Sequence, residues 1–391
     1  MKNITRTVWI LSLVSLFTDT ATEMLYPIMP IYLKTIGFSV VLIGVLEGVA
    51  EATTGLSKGY FGKLSDNTGK RVPFVQLGYL LSGLSRPMMG MFVYPLWIFL
   101  SRTMDRFGKG IRTAARDAIL SGEATTATKG KIFGFHRSLD TFGAVLGPTF
   151  ALIYLYIYPE DYRTLFFVAF IPSCLAILAS LILKDKKQPQ IETPNKYTGL
   201  FSFLKYWKTS PLEYRKVTIG LLGFALFNSS DVFLLLKAKQ SGLSDTMTIM
   251  LYIFYNLVYA LCAFPLGIYA DKIGLKKIYL IGLSLFTITY FGMGFTTNHS
   301  VIIGCFMFYG IYSAATEGVS RAWISNITDK KDTATAIGTY AAFQSICTMI
   351  ASSLAGFLWY QFGAEVTFIV TGITTTIIIL YFVFSTRNNI F

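Results

Sequence analysis

The segments GKLSDNTGKR (residues 62–71) and GIYADKIGLK (residues 267–276) decide the fold. Both have the form Gly-x-x-x-Asp-x-x-Gly-x-(Arg/Lys), and the second follows the first at one fixed offset, 267 − 62 = 205. Gly62, Asp66, Gly69 and Arg71 thus match Gly267, Asp271, Gly274 and Lys276, and Lys70 adds a cation to the first copy. Arg116 and Arg321 keep the same separation, each inside a charged part of an apolar run. Two halves of one membrane protein, repeated in parallel, are the simplest account of this register.

Composition agrees. Hydrophobic residues make up 53% of the chain and charged residues 14%, against about 25% charged in soluble domains. The net charge of +13 could suggest nucleic acid, but the basic residues are spread between apolar runs instead of pooled in one polar face. That distribution reads as membrane topology, with no nucleic-acid partner. The four cysteines (Cys174, Cys262, Cys305, Cys347) are far apart, with neither disulfide nor metal spacing. No cofactor is expected. Lys2 and Arg6 before the apolar stretch 8–17 imitate a signal peptide, but no cleavage site follows, and a retained first helix is expected.

A spanning helix needs about 20 mostly apolar residues. Twelve are expected, near 8–33, 40–62, 73–93, 95–118, 132–155, 163–183, 216–238, 246–267, 277–296, 300–324, 334–358 and 364–385. The chain is thus read as an all-α integral membrane protein. Residues 1–183 form one six-helix bundle, 184–215 a Lys-rich linker with Pro189 and Pro194, and 216–391 a second bundle. With the N-terminus inside, the inner segments hold 21 Lys and Arg against 4 outside (Lys34, Arg163, Lys237, Lys239). The positive-inside rule then puts the linker and both termini in the cytoplasm of a cell whose inner membrane holds the protein. Within the linker, Leu200, Phe201, Phe203, Leu204, Tyr206 and Trp207 stand beside Lys205 and Lys208. Either an amphipathic helix on the inner leaflet or a linker with a few sticky residues accounts for them.

Six plus six helices, with the repeated loop after helices 2 and 8, resemble the major facilitator superfamily of secondary transporters. Parallel repeats of this kind are a transporter signature. The family's loop signature is Gly-x-x-x-Asp-(Arg/Lys)-x-Gly-(Arg/Lys)-(Arg/Lys); here Asn67 and Leu275 each replace one cation. The resemblance implies that the loops latch the two halves on the cytoplasmic side. Physically, each aspartate can cap a helix N-terminus or hold a cation on a neighbouring helix. Helix 5 carries Gly143-x-x-x-Gly147-Pro148, similar to a motif of the family's proton-coupled exporters, although Thr149, Phe150 and Ala151 replace its further glycines. Close helix packing explains those residues equally well. The helix 4 run RTMDRFGKG (102–110), with Arg112, Arg116 and Asp117, and with HRSLD (136–140) on helix 5, resembles a subgroup of uncharacterised prokaryotic permeases.

A charge at mid-bilayer costs about 2.5–3.5 kcal/mol or more, so such residues face the interior and pair or function. Asp19 and Glu23 share one face of helix 1, and Glu47 and Glu51 one face of helix 2. Arg102, Asp105 and Arg106 fall in the outer and middle parts of helix 4; His136, Arg137 and Asp140 enter helix 5 from inside. The second half offers only Asn228 and Asp231 on helix 7 and Glu317 and Arg321 on helix 10, with aromatics and hydroxyls besides. Glu317 and Arg321, four apart, are expected to pair, and Arg112 and Arg116 to snorkel toward headgroups. Asp19 has threonines around it and no cation on its own helix, which suits substrate or proton work.

The expectation is a secondary transporter working by alternating access, monomeric in the membrane lipid, with a small-molecule substrate and protons as partners. Proton-coupled export of a small organic compound leads; proton-coupled uptake of an anionic nutrient or siderophore-like solute is the alternative. A polytopic enzyme is disfavoured by two histidines and no nucleophile-base set. A transport-dead sensor would need a soluble tail. With no nucleotide-binding loop, this chain alone does not drive transport with ATP.

Overall fold

The protein, described here by a computed structural model, is seen at residues 4–26, 28–185, 199 and 201–385. Lys2, Pro189, Pro194, Leu200 and Arg387 lie outside the described residues. The helices are α1 (Arg6–Leu25), α2 (Met29–Thr35), α3 (Val40–Thr68), α4 (Val72–Met91), α5 (Pro95–Gly122), α6 (Lys129–Ile157), α7 (Tyr162–Val168) and α8 (Phe170–Leu181). They continue with α9 (Tyr206–Thr209), α10 (Leu212–Ala225), α11 (Val232–Gln240), α12 (Asp245–Ile273), α13 (Leu275–Phe295), α14 (His299–Asn326) and α15 (Thr333–Ser385). Seven stretches among the described residues are long and apolar enough to cross a membrane by length and composition alone. Helix α5 has the length but carries too many charges, and much of the chemistry sits there.

Turn chemistry sets the boundaries. Ser39 caps α3 by accepting from the Leu42 amide at 3.2 Å, and Gly69 ends it at φ 64°. That left-handed conformation is open to glycine without strain. Helix α15 turns back at Gly363, φ 86°, so its two arms are two spans. Joining α1 with α2, α7 with α8 and α10 with α11, and leaving the short α9 aside, then yields the twelve expected spans. Besides the one-residue break at Ala169, two of those spans are broken where the sequence suggested continuity. The first stops at Leu25, before Pro27 in the sequence, and resumes as α2. The seventh is interrupted at 226–231, where polar side chains replace the apolar run.

Two compact units form. One comprises Met1–Glu123, Leu139–Thr209 and Asp329–Ala342; the other comprises Ala124–Ser138, Ser210–Thr328 and Phe343–Phe391. The start of α15 therefore belongs with the first unit and the start of α6 with the second. The linker segment 202–209 does not lie free as an amphipathic surface helix. In the first unit Phe203 is 2% exposed, and a Cβ placed on Gly59 would come within 2.6 Å of its ring. Lys63 Nζ donates to the Ser202 carbonyl at 2.9 Å and Thr339 Oγ1 to the Phe203 carbonyl at 3.5 Å, fixing the segment against α3 and α15.

Candidate functional site

The first unit concentrates charge along α5. Glycines on both sides let this helix approach its neighbours. A Cβ on Gly108 would lie 2.6 Å from the Gly78 carbonyl of α4, and one on Gly110 would lie 2.3 Å from Ser57 Cβ of α3. The arginines between them are thereby drawn into the bundle. Arg102 donates to both oxygens of Glu47, from Nε at 2.8 Å and from Nη2 at 3.0 Å, a fork that adds geometric specificity. Asp105 lies 3.7 Å from Arg102 Nη1, and Arg106 Nη2 lies 3.8 Å from the second Glu47 oxygen.

Arg112 and Arg116 do not snorkel. Both are buried. Arg112 donates to Ser82 Oγ at 2.6 Å and lies over the Tyr79 ring at 4.6 Å. Arg116 donates to Asp117 at 3.0 Å and to Ser15 Oγ at 3.0 Å, and stands 3.9 Å from Asp140. The glycine contacts explain the difference: packed this closely, the α5 face has no route for a side chain to the surface, and the charges are satisfied internally.

Asp19 and Glu23 lie on the α1 face that meets α6. A Cβ on Gly143 would fall 2.5 Å from the Leu16 carbonyl and 3.0 Å from Asp19 Cβ; one on Gly147 would fall 2.6 Å from the Met24 amide nitrogen. The Gly143/Gly147 pair therefore clamps the turns of α1 that carry the two acids. Asp19 is half-buried; Asp140 and Glu23 repel its charge while Lys109 and Arg112 attract it. Glu51 of α3 acts on Lys109 in the same field.

Each repeat loop caps a helix. Asp66 Oδ2 accepts from the Thr335 amide at 2.7 Å and its hydroxyl at 2.9 Å, while Oδ1 takes Arg71 Nη2 at 2.9 Å. Asp271 accepts from the amides of Gly130 and Lys131, each at 2.7 Å. Thr335 and Gly130 are themselves 335 − 130 = 205 apart, so the repeat extends from the aspartates to the helix starts they bind. Anionic groups are stabilised at such N-termini. Gly62 and Gly267 let this happen: their added Cβ atoms would lie 2.5 Å from the Ala334 carbonyl and 2.3 Å from the Gly130 carbonyl. Burial pushes the Asp66 carboxyl, past the end of the expected span 40–62, up to about 6, against the opposing pull of Arg71 and Thr335. Lys70 is exposed, Lys276 half-buried, and Gly274 turns at φ 105°.

The second unit is sparser. Asn228 donates to Tyr312 OH at 3.0 Å, and Asp231 accepts from Ser230 at 3.3 Å and from Tyr255 OH. These bonds are made where the chain between α10 and α11 is unwound. Glu317 meets a cation on α6, Arg137 Nη2, at 3.7 Å. Arg321 is half-buried and His136 is buried beside Arg137.

One residue escaped the sequence reading. Arg86 of α4 is 2% exposed. Its guanidinium donates to the Ser82 carbonyl at 2.9 Å, the Thr18 carbonyl at 3.3 Å and Thr22 Oγ1 at 2.7 Å. A single arginine inside the apolar run 73–93 was the available signal, since a lone charge at that depth is expensive.

A family model described as Major Facilitator Superfamily matches residues 11–254 and 219–389. An uncharacterized MFS-type transporter of Methanocaldococcus jannaschii is 31% identical over 374 residues, covering 94% of this chain and 92% of that protein. The staphyloferrin B transporter of Staphylococcus aureus is 23% identical over 377 residues, covering 93% and 89%. The crystal structure of the human organic anion transporter MFSD10 superposes with a TM-score of 0.80 at 16% identity, covering 96% of this chain and 99% of that one.

Proposed function

The chain belongs to the major facilitator superfamily, a family of multi-pass membrane transporters and not of enzymes, and we propose that it is a proton-coupled secondary transporter that exports a small organic solute by alternating access. One observation carries the coupling. The linked cluster on α1, α3, α4, α5 and α6 holds seven carboxylates, Asp19, Glu23, Glu47, Glu51, Asp105, Asp117 and Asp140. Against them stand six cations: Arg86, Arg102, Arg106, Lys109, Arg112 and Arg116. These groups share one field inside the membrane, so a proton taken up by one acid changes the balance among all of them.

Asp19 is the acid that takes that proton. Two carboxylates repel it, its cations sit on another helix, and it is half-buried. A change in the separation of α1 from α5 alters its partners, and with them its hold on a proton. The positive-inside count supports an inner-membrane orientation with the repeat loops, linker and termini in the cytoplasm. Asp66 and Asp271 then act as cytoplasmic caps made and broken during the cycle. The similarity of the Gly143/Gly147/Pro148 segment to exporter motifs supports outward transport.

Uptake of an anionic solute is the second reading. The arginines of α4 and α5 favour it, and two similar proteins are named for a siderophore and for organic anions. Reconstitution into proteoliposomes, with a panel of radiolabelled organic acids, bases and neutral solutes, tests both. Movement of one class that is driven by an imposed pH gradient and collapses with a protonophore is expected. Facilitated movement indifferent to the gradient would refute proton coupling, and the side of accumulation separates export from uptake.

A further inference from the structure

The two interrupted spans coincide in the repeat. The first breaks after Leu25 and the seventh across 226–231, and Leu25 and Ser230 are 230 − 25 = 205 apart. Helices α3 and α12 keep that offset at both ends, 245 − 40 and 273 − 68. Breaks at corresponding positions of two halves point to a transporter's binding site. In the first unit Glu23 lies just before the break. In the second unit its counterpart, at 228 − 23 = 205, is Asn228, and Asp231 follows it.

The second unit closes a ring of groups on this turn. Tyr255 of α12 donates its hydroxyl to Asp231, and Asn228 Nδ2 donates to the Tyr312 hydroxyl of α14 at 3.0 Å. Tyr309 stands between those two tyrosines, its ring centroid 5.3 Å from that of Tyr255 and 5.4 Å from that of Tyr312. Tyr252 extends the row, 5.4 Å from Tyr255. Phenylalanine would pack as well and would carry no hydroxyl into a span, where polar groups are costly.

The ring offers acceptors and π faces. Asp231 takes hydrogen bonds from the hydroxyls of Ser230 and Tyr255, and among the described residues no cation pairs with it. Asn228 Oδ1 is buried and accepts nothing among the described residues. Glu317 acts on Tyr309 and Tyr312 through space, although Arg137 stands 3.7 Å from it. The faces of the aromatic rings are themselves negative. Asn228, Asp231 and Tyr252 are half-buried, so a ligand reaches the ring from their side. A protonated amine answers all of these features. Its charge pairs with Asp231, one N–H satisfies the Asn228 oxygen, and the Tyr309 face attracts the cation.

We propose that the turn 228–231, with Tyr255, Tyr309 and Tyr312, is a subsite for a protonated amino group of the exported solute. That the amine is transported rests on the function proposed above; that the second unit binds it does not.

The test is a ligand titration of the purified full-length chain at neutral pH and constant ionic strength, read by thermal unfolding. A ligand that binds the folded state raises the midpoint. Benzylamine should raise it saturably, whereas benzyl alcohol, its neutral counterpart, and benzoate should not. Asp231→Asn should weaken benzylamine binding at least tenfold. Tyr309→Leu, which removes the π face, should weaken it at least threefold, and Tyr309→Phe, which keeps the ring, should bind within twofold of wild type. Asn228→Asp keeps the side chain's shape at a half-buried position and adds a charge, so it should tighten binding at least threefold; it also decides the matter if Asp231→Asn does not fold. Equal shifts from benzylamine and benzyl alcohol would overturn the proposal, as would a larger shift from benzoate. Wild-type benzylamine affinity in folded Asp231→Asn, in folded Tyr309→Leu or in Asn228→Asp would overturn it too. The titration uses neither transport nor a pH gradient, so its result is independent of proton coupling.

Discussion

Asp66 joins three groups in one place: the buried guanidinium of Arg71 and the amide and hydroxyl of Thr335. Removing its carboxylate deletes a cap worth about 1 kcal/mol, roughly fivefold in an equilibrium, and leaves Arg71 without its counter-charge. Asp66→Ala should therefore loosen the start of α15, read as at least fivefold faster labelling of a cysteine placed at Thr335. Unchanged labelling would count against the cap. The pH dependence has a definite sign. The capped carboxyl is held at about 6 against an ordinary 3.8, so the capped arrangement binds a proton more tightly than the uncapped one. Acidification from pH 7 toward 4 should favour the cap and this gain should be lost as pH rises through 6; with labelling normalised to the unfolded chain at each pH, Asp66→Ala should show no such trend. The aspartates and their glycines were legible in the sequence because they recur at one spacing. Their partners were not, since Thr335 and Gly130 are unremarkable residues whose role is set by backbone amides. Arg86 was missed for a different reason: it stands alone, without the helical spacing that marked the arginines of α5.

Helix α1 holds its two acids through contact with α6, and that contact depends on hydrogen atoms in place of side chains. A Cβ at Gly147 would meet the Met24 nitrogen and the Thr20 carbonyl, both at 2.6 Å, and backbone cannot move aside as a side chain can. Gly147→Val should cost about 1–3 kcal/mol by overpacking and displace the turn carrying Glu23. The expected readout is a lowered unfolding midpoint together with impaired transport; a variant with both at wild-type values would show that α1 and α6 are not clamped there. The linker makes a second prediction. Phe203→Ala removes a ring seated against Gly59, a loss of about 3–5 kcal/mol for a fully buried aromatic. Proteolysis within 199–210 should become at least tenfold faster, and a rate equal to wild type would place the segment free of α3 and α15. Helix existence followed from apolar length, but the breaks after Leu25 and across 226–231 did not. Hydropathy counts side chains, whereas a break also depends on which backbone groups find other partners, as the Ser230 amide finds Ser352 Oγ at 3.2 Å.

Across the whole molecule, the parallel repeat accounts for the family, the twelve spans and the paired caps. It does not divide the charge evenly. The cluster of buried acids and cations on α1, α3, α4, α5 and α6 lies in the first unit, while the second holds aromatics and the bonded pair Asp231 and Tyr255. Such asymmetry within a symmetric scaffold was visible in the sequence as residue counts; Arg86 joined the cluster only in the structure. The cluster makes the central claim measurable. Asp19→Asn removes the titrating group with little change of shape. In proteoliposomes under an imposed pH gradient, the wild-type protein should accumulate its solute, and Asp19→Asn should exchange solute across the membrane without accumulating it. Accumulation at the wild-type rate in Asp19→Asn, and again in Glu23→Gln, would contradict the account.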